Sequence, residues 1–587
     1  MKFAKLASIT CIALFTALTL VSTLPAQTQT LTVLHNFAGP PADGTTPTGG
    51  LLFDPAGNLY GVTSNGGTTN AGTVFKLDPN GTESLLHSFA GPPGDGWLPT
   101  DGLARDTVTG NLYGTTPFGG SAIHCPIQAI LVGCGIVFKL DPSGTETVLH
   151  RFGPAASDGA RPQGRLIVDS LGNLFGTTEW GGNGGCRIFF GFNHVKVDVG
   201  CGTVFKVDAN GNESILYNFI NDGAFPVAGL AQDTSGNLFG TASTGGVMNC
   251  ASALFGQCGT VFKVDTAGQF SMLYSFQGAS TGPDGGTPLS SLLLDASGNL
   301  FGTTAFGGTG AGTIFKVTPA GKETLLHSFG PGDGAAFPTA GLVQDAAGNF
   351  YGLASGNVFK LDSTGKESVL FTFTGNDNLA SGDLVQDASG NLYGVTTLGA
   401  NGNGTVFKLT TPPDFAVPAF TLTPATVAPG SPASATLDLI AVSGFTDTVT
   451  FACSVSPSPA QAPQCSVPAS ATPGTQVTVS VTTTGPSARV TSSSGVTLSY
   501  ALWLPLLGLV GLGSCFGSKR GNSKRRRIQA MLLGCLLFAG VVFQVACGGG
   551  GGSHGTPTGA YTITITGTSG SATGSLVRST STTLQVQ

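Results

Sequence analysis

Histidine, aspartate and glutamate recur at fixed places along this chain, as metal ligands or acid–base groups would. His35, His87, His150 and His327 stand at one repeated position. Asp43, Asp95, Asp158, Asp222, Asp284, Asp333 and Asp377 stand at a second, and Glu83, Glu146, Glu213, Glu323 and Glu367 at a third. Imidazole with carboxylates is a donor set for a divalent cation or for proton transfer. The histidine position, however, holds Tyr217, Tyr274 and Phe371 in the other copies, and His87 shares a strand face with Leu85 and Phe89 at period two. A ring that phenylalanine replaces reads as packing, so no metal site is expected. Asp-Gly followed by Pro is turn chemistry, and the glutamates open a strand at the outer rim. No Ser/His/Asp constellation, paired-glutamate site or phosphate loop emerges. The sequence therefore predicts no catalytic residues and no cofactor.

The elements that carry these residues come from a repeat. Gly-Asn-(Leu/Phe)-(Tyr/Phe)-Gly begins at Gly57, Gly110, Gly172, Gly236, Gly298, Gly348 and Gly390. A second phrase, (Thr/Ile/Asn)-(Val/Ile)-Phe-Lys, follows each copy and ends at Lys76, Lys139, Lys206, Lys263, Lys316, Lys360 and Lys408. Self-similarity at this spacing marks a repeat architecture. The first copy resolves into four strand-like runs, residues 50–54, 59–63, 73–78 and 83–89, separated by Asp/Gly turns. Four strands in each of seven units predict an all-β, seven-bladed β-propeller over residues 31–410. Residues 31–37 match a fourth strand and 405–409 match a third strand lacking its fourth, so the first strand is expected to complete the last blade.

That topology sorts the loops. The short Asp/Gly turns fall on one face. The long connections between second and third strands, and those between blades, fall on the other. This second face carries Phe118, Trp180 and Phe306 at one equivalent position, together with Asp95, Asp158 and Asp222. These six residues are the candidate ligand contacts, because binding groups favour loops held on a rigid scaffold.

Three long loops on consecutive units hold Cys125/Cys134, Cys186/Cys201 and Cys250/Cys258, and a fourth close pair is Cys453/Cys465. None has metal-site spacing, so all four are read as disulfides closing local loops in an oxidising compartment. Lys2 and Lys5 ahead of an apolar stretch, with small Ala26 after it, read as an export signal over residues 1–26. The formal net charge of −6 gives no reason to expect nucleic acid as a partner.

Beyond the repeats, residues 411–498 alternate apolar and polar as the first part of an immunoglobulin-like β-sandwich would. Two apolar stretches, 500–517 and 528–547, flank Lys519, Arg520, Lys524, Arg525, Arg526 and Arg527. Their lengths and the basic loop 518–527 predict a two-helix transmembrane hairpin over residues 499–547, with the membrane as a partner. Cys547 is read as part of a plain span, not as a lipidated cysteine. Residues 556–587 supply two further strands that could complete the sandwich.

The paired phrases resemble the GloVer tandem repeats of bacterial "choice-of-anchor" surface proteins, and the tail from Phe415 is similar to the Ig-like segments attached to them. The resemblance implies surface display and brings no catalytic residues. The expectation is an exported, cell-envelope binding or adhesion module for polysaccharide or a surface protein. Its rivals are a propeller lyase or hydrolase acting on glycans, and a purely structural surface protein.

Overall fold

A computed structural model of the protein describes residues 29–121, 125, 133–153, 158–190, 195–220, 222–246, 258–278, 284–375, 380–486, 555–571 and 574–587. Seven antiparallel sheets follow one another along the chain, six of them with strands hydrogen-bonded in sequence order. Blade 1 comprises Gly44–Phe53, Leu59–Gly66, Thr73–Leu77 and Glu83–Ser88. Blade 7 comprises Ala380–Gln386, Leu392–Thr396 and Thr405–Thr410, and its fourth strand is Thr30–Asn36 from the start of the chain. Leu31 pairs with Leu409 and Val33 with Phe407, so the ring closes by strand exchange and leaves no edge open there.

The two repeated phrases are cross-strand partners. In blade 1 the first phrase forms a turn and a second strand, with Gly57 at a φ of 83°. Asp54 organises that turn: Oδ1 accepts the Ala56 and Asn58 N–H groups, while Oδ2 accepts the Asn58 side chain and the Tyr60 hydroxyl. On the third strand Lys76 faces Tyr60 and Phe75 faces Gly61. The Lys76 ammonium lies 5.8 Å from the Tyr60 ring centroid, a cation–π contact. A Cβ on Gly61 would sit 2.5 Å from Phe75 Cζ. Glycine is thus required because the phenylalanine ring covers that backbone.

Seven apolar cores lie between blades, each drawn from two neighbours in the ring. At the centre of each, the phenylalanine following one blade's fourth strand meets the third-strand phenylalanine of the next blade. The pairs are Phe37–Phe75, Phe89–Phe138, Phe152–Phe205, Phe219–Phe262, Phe276–Phe315, Phe329–Phe359 and Phe373–Phe407. All are edge-to-face with centroids 5.0–5.3 Å apart. Each such pair adds about 0.5–1.5 kcal/mol beyond its area burial. Phe37–Phe75 is the pair that joins the two ends of the ring.

A second compact unit comprises 417–439, 448–569 and 577–587. Its described strands form two sheets. One contains Val449–Ser456 paired with Gly559–Ser571, and the other contains Ala433–Asp438, Gln476–Thr482 and Gln464–Ser466. Strict alternation of buried and exposed residues along Ala433–Asp438 shows a sheet with one covered face. Cys453 and Cys465 are bonded and lie in different sheets, so this disulfide joins the two layers and is not a local loop staple.

Two expectations are corrected here. The described structure is all-β, and no helix in it is long and apolar enough to cross a membrane. The two-helix hairpin and the membrane partner are therefore not supported; the stretches 500–517 and 528–547 that suggested them lie outside the described residues. Apolar length and the basic loop 518–527 suggested spans, and no helix is present among the described residues. What the tail does establish is a two-sheet β unit, and the immunoglobulin-like label goes beyond that. The export segment 1–26 also lies outside the described residues.

Candidate functional site

The loop face is assembled from a repeated joint between blades. Thr46, Leu98, Arg161, Phe225, Thr287 and Phe337 each precede a proline and adopt φ between 51° and 59°. Such a left-handed residue costs about 1–3 kcal/mol unless its surroundings fix it. Here the N–H donates to the preceding blade: Leu98 to the Ala71 carbonyl at 3.1 Å and Arg161 to the Cys134 carbonyl at 2.8 Å. The following proline fills space left by a glycine of that blade, since a Cβ on Gly72 would lie 2.5 Å from Pro99 Cδ. The joint explains why Asp-Gly-x-x-Pro recurs.

Its aspartates are committed to the loops. Asp95 Oδ2 accepts the Ala90 N–H at 2.6 Å and Oδ1 the Gly96 N–H at 2.6 Å. Asp158 accepts from Gly153 and Gly159 in the same way, and Asp222 accepts from the Tyr217 hydroxyl. Burial would raise the Asp95 pKa, but His87 and the two backbone donors outweigh it and hold the carboxyl below its ordinary value. These residues cap loops at blade junctions, on the loops where the sequence places them.

The aromatics divide. Trp180 is only 4% exposed and belongs to the core between blades 2 and 3. Phe118 and Phe306 are half-buried, and Phe306 contacts Phe337 edge-on at 6.0 Å. What the sequence reading missed is a stack across blades 2 and 3. Trp97 lies 5.9 Å from Phe118, and the Arg161 guanidinium lies 5.4 Å from Phe118 and 4.5 Å from Trp180. Glu179 anchors the guanidinium, with Oε2 3.1 Å from Nε, and accepts a hydrogen bond from Gln163 Nε2. The Nε–H is poorly aligned with that oxygen and makes no hydrogen bond. Burial raises the Glu179 pKa against the opposing pull of Arg161 and Gln163. The available signal was departure from the repeat: Trp97 and Arg161 occupy joint positions that other copies fill with smaller or apolar residues.

A second missed group lies at the axis. First strands of neighbouring blades approach backbone to backbone: a Cβ on Gly102 would be 2.5 Å from the Gly50 carbonyl oxygen, and one on Gly164 2.5 Å from that of Ala228. Asp101, Arg165 and Asp383 stand on these converging edges, which glycine, alanine and serine otherwise fill. Asp101 Oδ2 accepts the Arg165 N–H at 2.7 Å, and Asp383 Oδ1 accepts the Gly341 N–H at 2.6 Å. Burial, then the Asp383 charge, pushes Asp101 up to about 6. A shallow depression of about 570 Å³ lies elsewhere, beside the short turns of blades 2 and 3, lined by Arg105, Tyr113, Lys139 and Asp169.

Of the expected disulfides on the loop face, Cys125–Cys134 and Cys186–Cys201 are formed. Cys258 is also disulfide-bonded, and Cys250 lies outside the described residues.

Comparison with known proteins places the repeats but not the chemistry. No relative among curated proteins matches the chain. Among solved structures it is similar to virginiamycin B lyase from Staphylococcus aureus, at 11% identity and a TM-score of 0.43, over 65% of this chain and 100% of that one. It is also similar to a gluconolactonase from Xanthomonas campestris, at 14% identity and a TM-score of 0.33, over 65% and 90%. A third is a β-fructofuranosidase from Bombyx mori, at 11% identity and a TM-score of 0.28, over 64% and 91%. Likenesses this distant transfer no activity. The Gloeobacter/Verrucomicrobia repeat matches residues 13–194 and 188–357, more than half of the sequence. With its seven blades built from the two paired phrases, this chain belongs to the Gloeobacter/Verrucomicrobia repeat family.

Proposed function

We propose that the protein is an exported, surface-displayed binding module that takes polysaccharide on the loop face of blades 2 and 3. The observation that carries this reading is the continuous Trp97–Phe118–Arg161–Trp180 stack. Trp97 and Phe118 are half-buried and lie tilted against each other with the Arg161 guanidinium over the Phe118 ring, while Glu179 and Gln163 supply polar groups beside them. Apolar ring surface with a few fixed polar groups is the composition of a small-ligand or sugar subsite. Trp180 serves as the buried support of Arg161, not as an exposed platform.

Export is supported by the disulfides on the neighbouring long loops, since such bonds persist in oxidising compartments. Surface display is supported by the resemblance of the repeats to those of bacterial surface proteins. The test is a glycan array probed with the full chain, followed by titration of the Trp97→Ala and Phe118→Ala variants against any glycan retained. Loss of binding in both supports the reading, and retention in both removes it.

A further inference from the structure

At three blade junctions the structure brings together one histidine, one aspartate and one glutamate: His35/Asp43/Glu83, His87/Asp95/Glu146 and His150/Asp158/Glu213. The histidine ends one blade's fourth strand, the aspartate caps the loop that follows, and the glutamate opens the fourth strand of the next blade. Within each group the three donor atoms lie within 4.8 Å of one another.

Their spacing is informative. His87 Nε2 is 3.8 Å from Asp95 Oδ2 and 3.7 Å from Glu146 Oε2. The corresponding histidine–aspartate distances are 3.5 Å for His35 and 3.7 Å for His150. These exceed hydrogen-bond length. They approach the edge of a tetrahedron with metal–ligand bonds of about 2.0–2.2 Å, which is about 3.3–3.6 Å. Nε2 of each histidine and Oε1 of each glutamate are buried and make no hydrogen bond, a costly arrangement for polar atoms facing nothing.

The chain carries its own controls. Between blades 3 and 4 the histidine is replaced by Tyr217 and the glutamate by Phe270, and the two rings stack at 4.1 Å. Tyr217 there donates directly to Asp222. Between blades 4 and 5, Tyr274 donates to Asp284 at 2.6 Å. Where tyrosine stands it reaches the aspartate directly and the gap is closed, although Glu323 at the Tyr274 junction also keeps a buried Oε1 without a hydrogen bond; where histidine stands, the gap between imidazole and aspartate stays open. Between blades 5 and 6, His327 lies 3.3 Å from Asp333, nearer hydrogen-bond length, and this junction does not gather its three donor atoms as the other three do.

We propose that the His/Asp/Glu junctions bind divalent first-row cations, of which Zn²⁺ is the best match, one per junction. A neutral imidazole and two carboxylates balance a 2+ charge and suit zinc, with a fourth position open to water. The cations would clamp neighbouring blades at the circumference. A histidine position shared with phenylalanine in another copy does not exclude this, because each junction is a separate site with its own partners. The inference stands apart from the glycan reading, since it concerns the His, Asp and Glu side chains between blades and not the Trp97 and Phe118 rings.

The test uses the full chain, untagged, loaded with Zn²⁺, dialysed into metal-free buffer and analysed for bound metal by mass spectrometry. Three equivalents per chain are expected, with a melting temperature that falls on chelation and recovers on re-addition. The His87→Tyr variant copies the residue already present at two junctions, so it should fold, melt without a chelator close to the chelated wild type or above it, and bind one equivalent fewer. Wild-type protein that retains no stoichiometric Zn²⁺ overturns the proposal. So does a His87→Tyr variant that retains the full number, and so does a melting temperature indifferent to chelation.

Discussion

The guanidinium of Arg161 lies 4.5 Å from the ring centroid of Trp180, held there by Glu179 at 3.1 Å. Arg161 reaches this place because its φ of 59° is fixed by the hydrogen bond from its own N–H to Cys134. Backbone strain at the blade joint is thereby converted into a fixed side-chain position on the loop face. Removing the side chain should cost about 1–2 kcal/mol of stability through lost cation–π contact and packing. Urea unfolding of Arg161→Ala against wild type measures it, and a loss indistinguishable from zero would show that the stack is incidental.

Ring closure predicts equal consequences at distant places in the sequence. Phe37→Ala should destabilise the propeller by about 3–5 kcal/mol, as for other buried phenylalanines, and by as much as Phe219→Ala at an interior junction. Both side chains are fully buried in equivalent edge-to-face pairs. A far smaller loss at Phe37 would mean that the first strand does not close the ring in solution.

The axial carboxyls give stability a pH dependence of defined sign. Asp101 is raised from 3.8 to about 6 by burial and then by Asp383, and Asp383 is itself raised by burial. A folded-state pKa above the unfolded one means that the folded protein holds the extra proton. The stabilisation is fully present below about pH 4 and is lost as pH rises through about 6. Asp101→Asn should flatten the fall in melting temperature across that window. An unchanged slope in the variant would contradict the assignment.

Disulfides should be recoverable if the protein is exported as proposed. Peptide mapping without reductant is expected to find Cys125–Cys134, Cys186–Cys201 and Cys453–Cys465 linked. Each closes a loop short enough to contribute about 3 kcal/mol in the chain-entropy model. Reduction should lower the melting temperature, and free thiols at these positions in the exported protein would count against an oxidising compartment.

How far the sequence could be read follows from contact range. Tyr60 and Lys76 are 16 residues apart on neighbouring strands, so the repeat phrases announce the blade directly. Closure was legible because residues near 31 complete a pattern left unfinished near 409. The junctions were not, since Glu146 meets His87 only after two blades pack together, and single-position comparison made His87 look like a core ring. Trp180 reads as a candidate ligand contact because nothing local shows that it will be buried between blades with Arg161 over its ring. Asp101 and Asp383 are 282 residues apart and meet only at the axis. The hairpin was read from apolar length and the basic loop 518–527, signals that carry no tertiary information.

The central claim is that blades 2 and 3 present a polysaccharide-binding surface on their loop face. Its most direct measurement is the affinity of the full chain for an array-selected glycan, compared across wild type, Trp97→Ala with Phe118→Ala, and Arg105→Ala beside the turn-face depression. The account predicts that the double variant loses about 1–3 kcal/mol per stacked ring, by analogy with base–aromatic stacking, while Arg105→Ala binds as wild type does. Unchanged affinity in the double variant, or loss confined to Arg105→Ala, would contradict it.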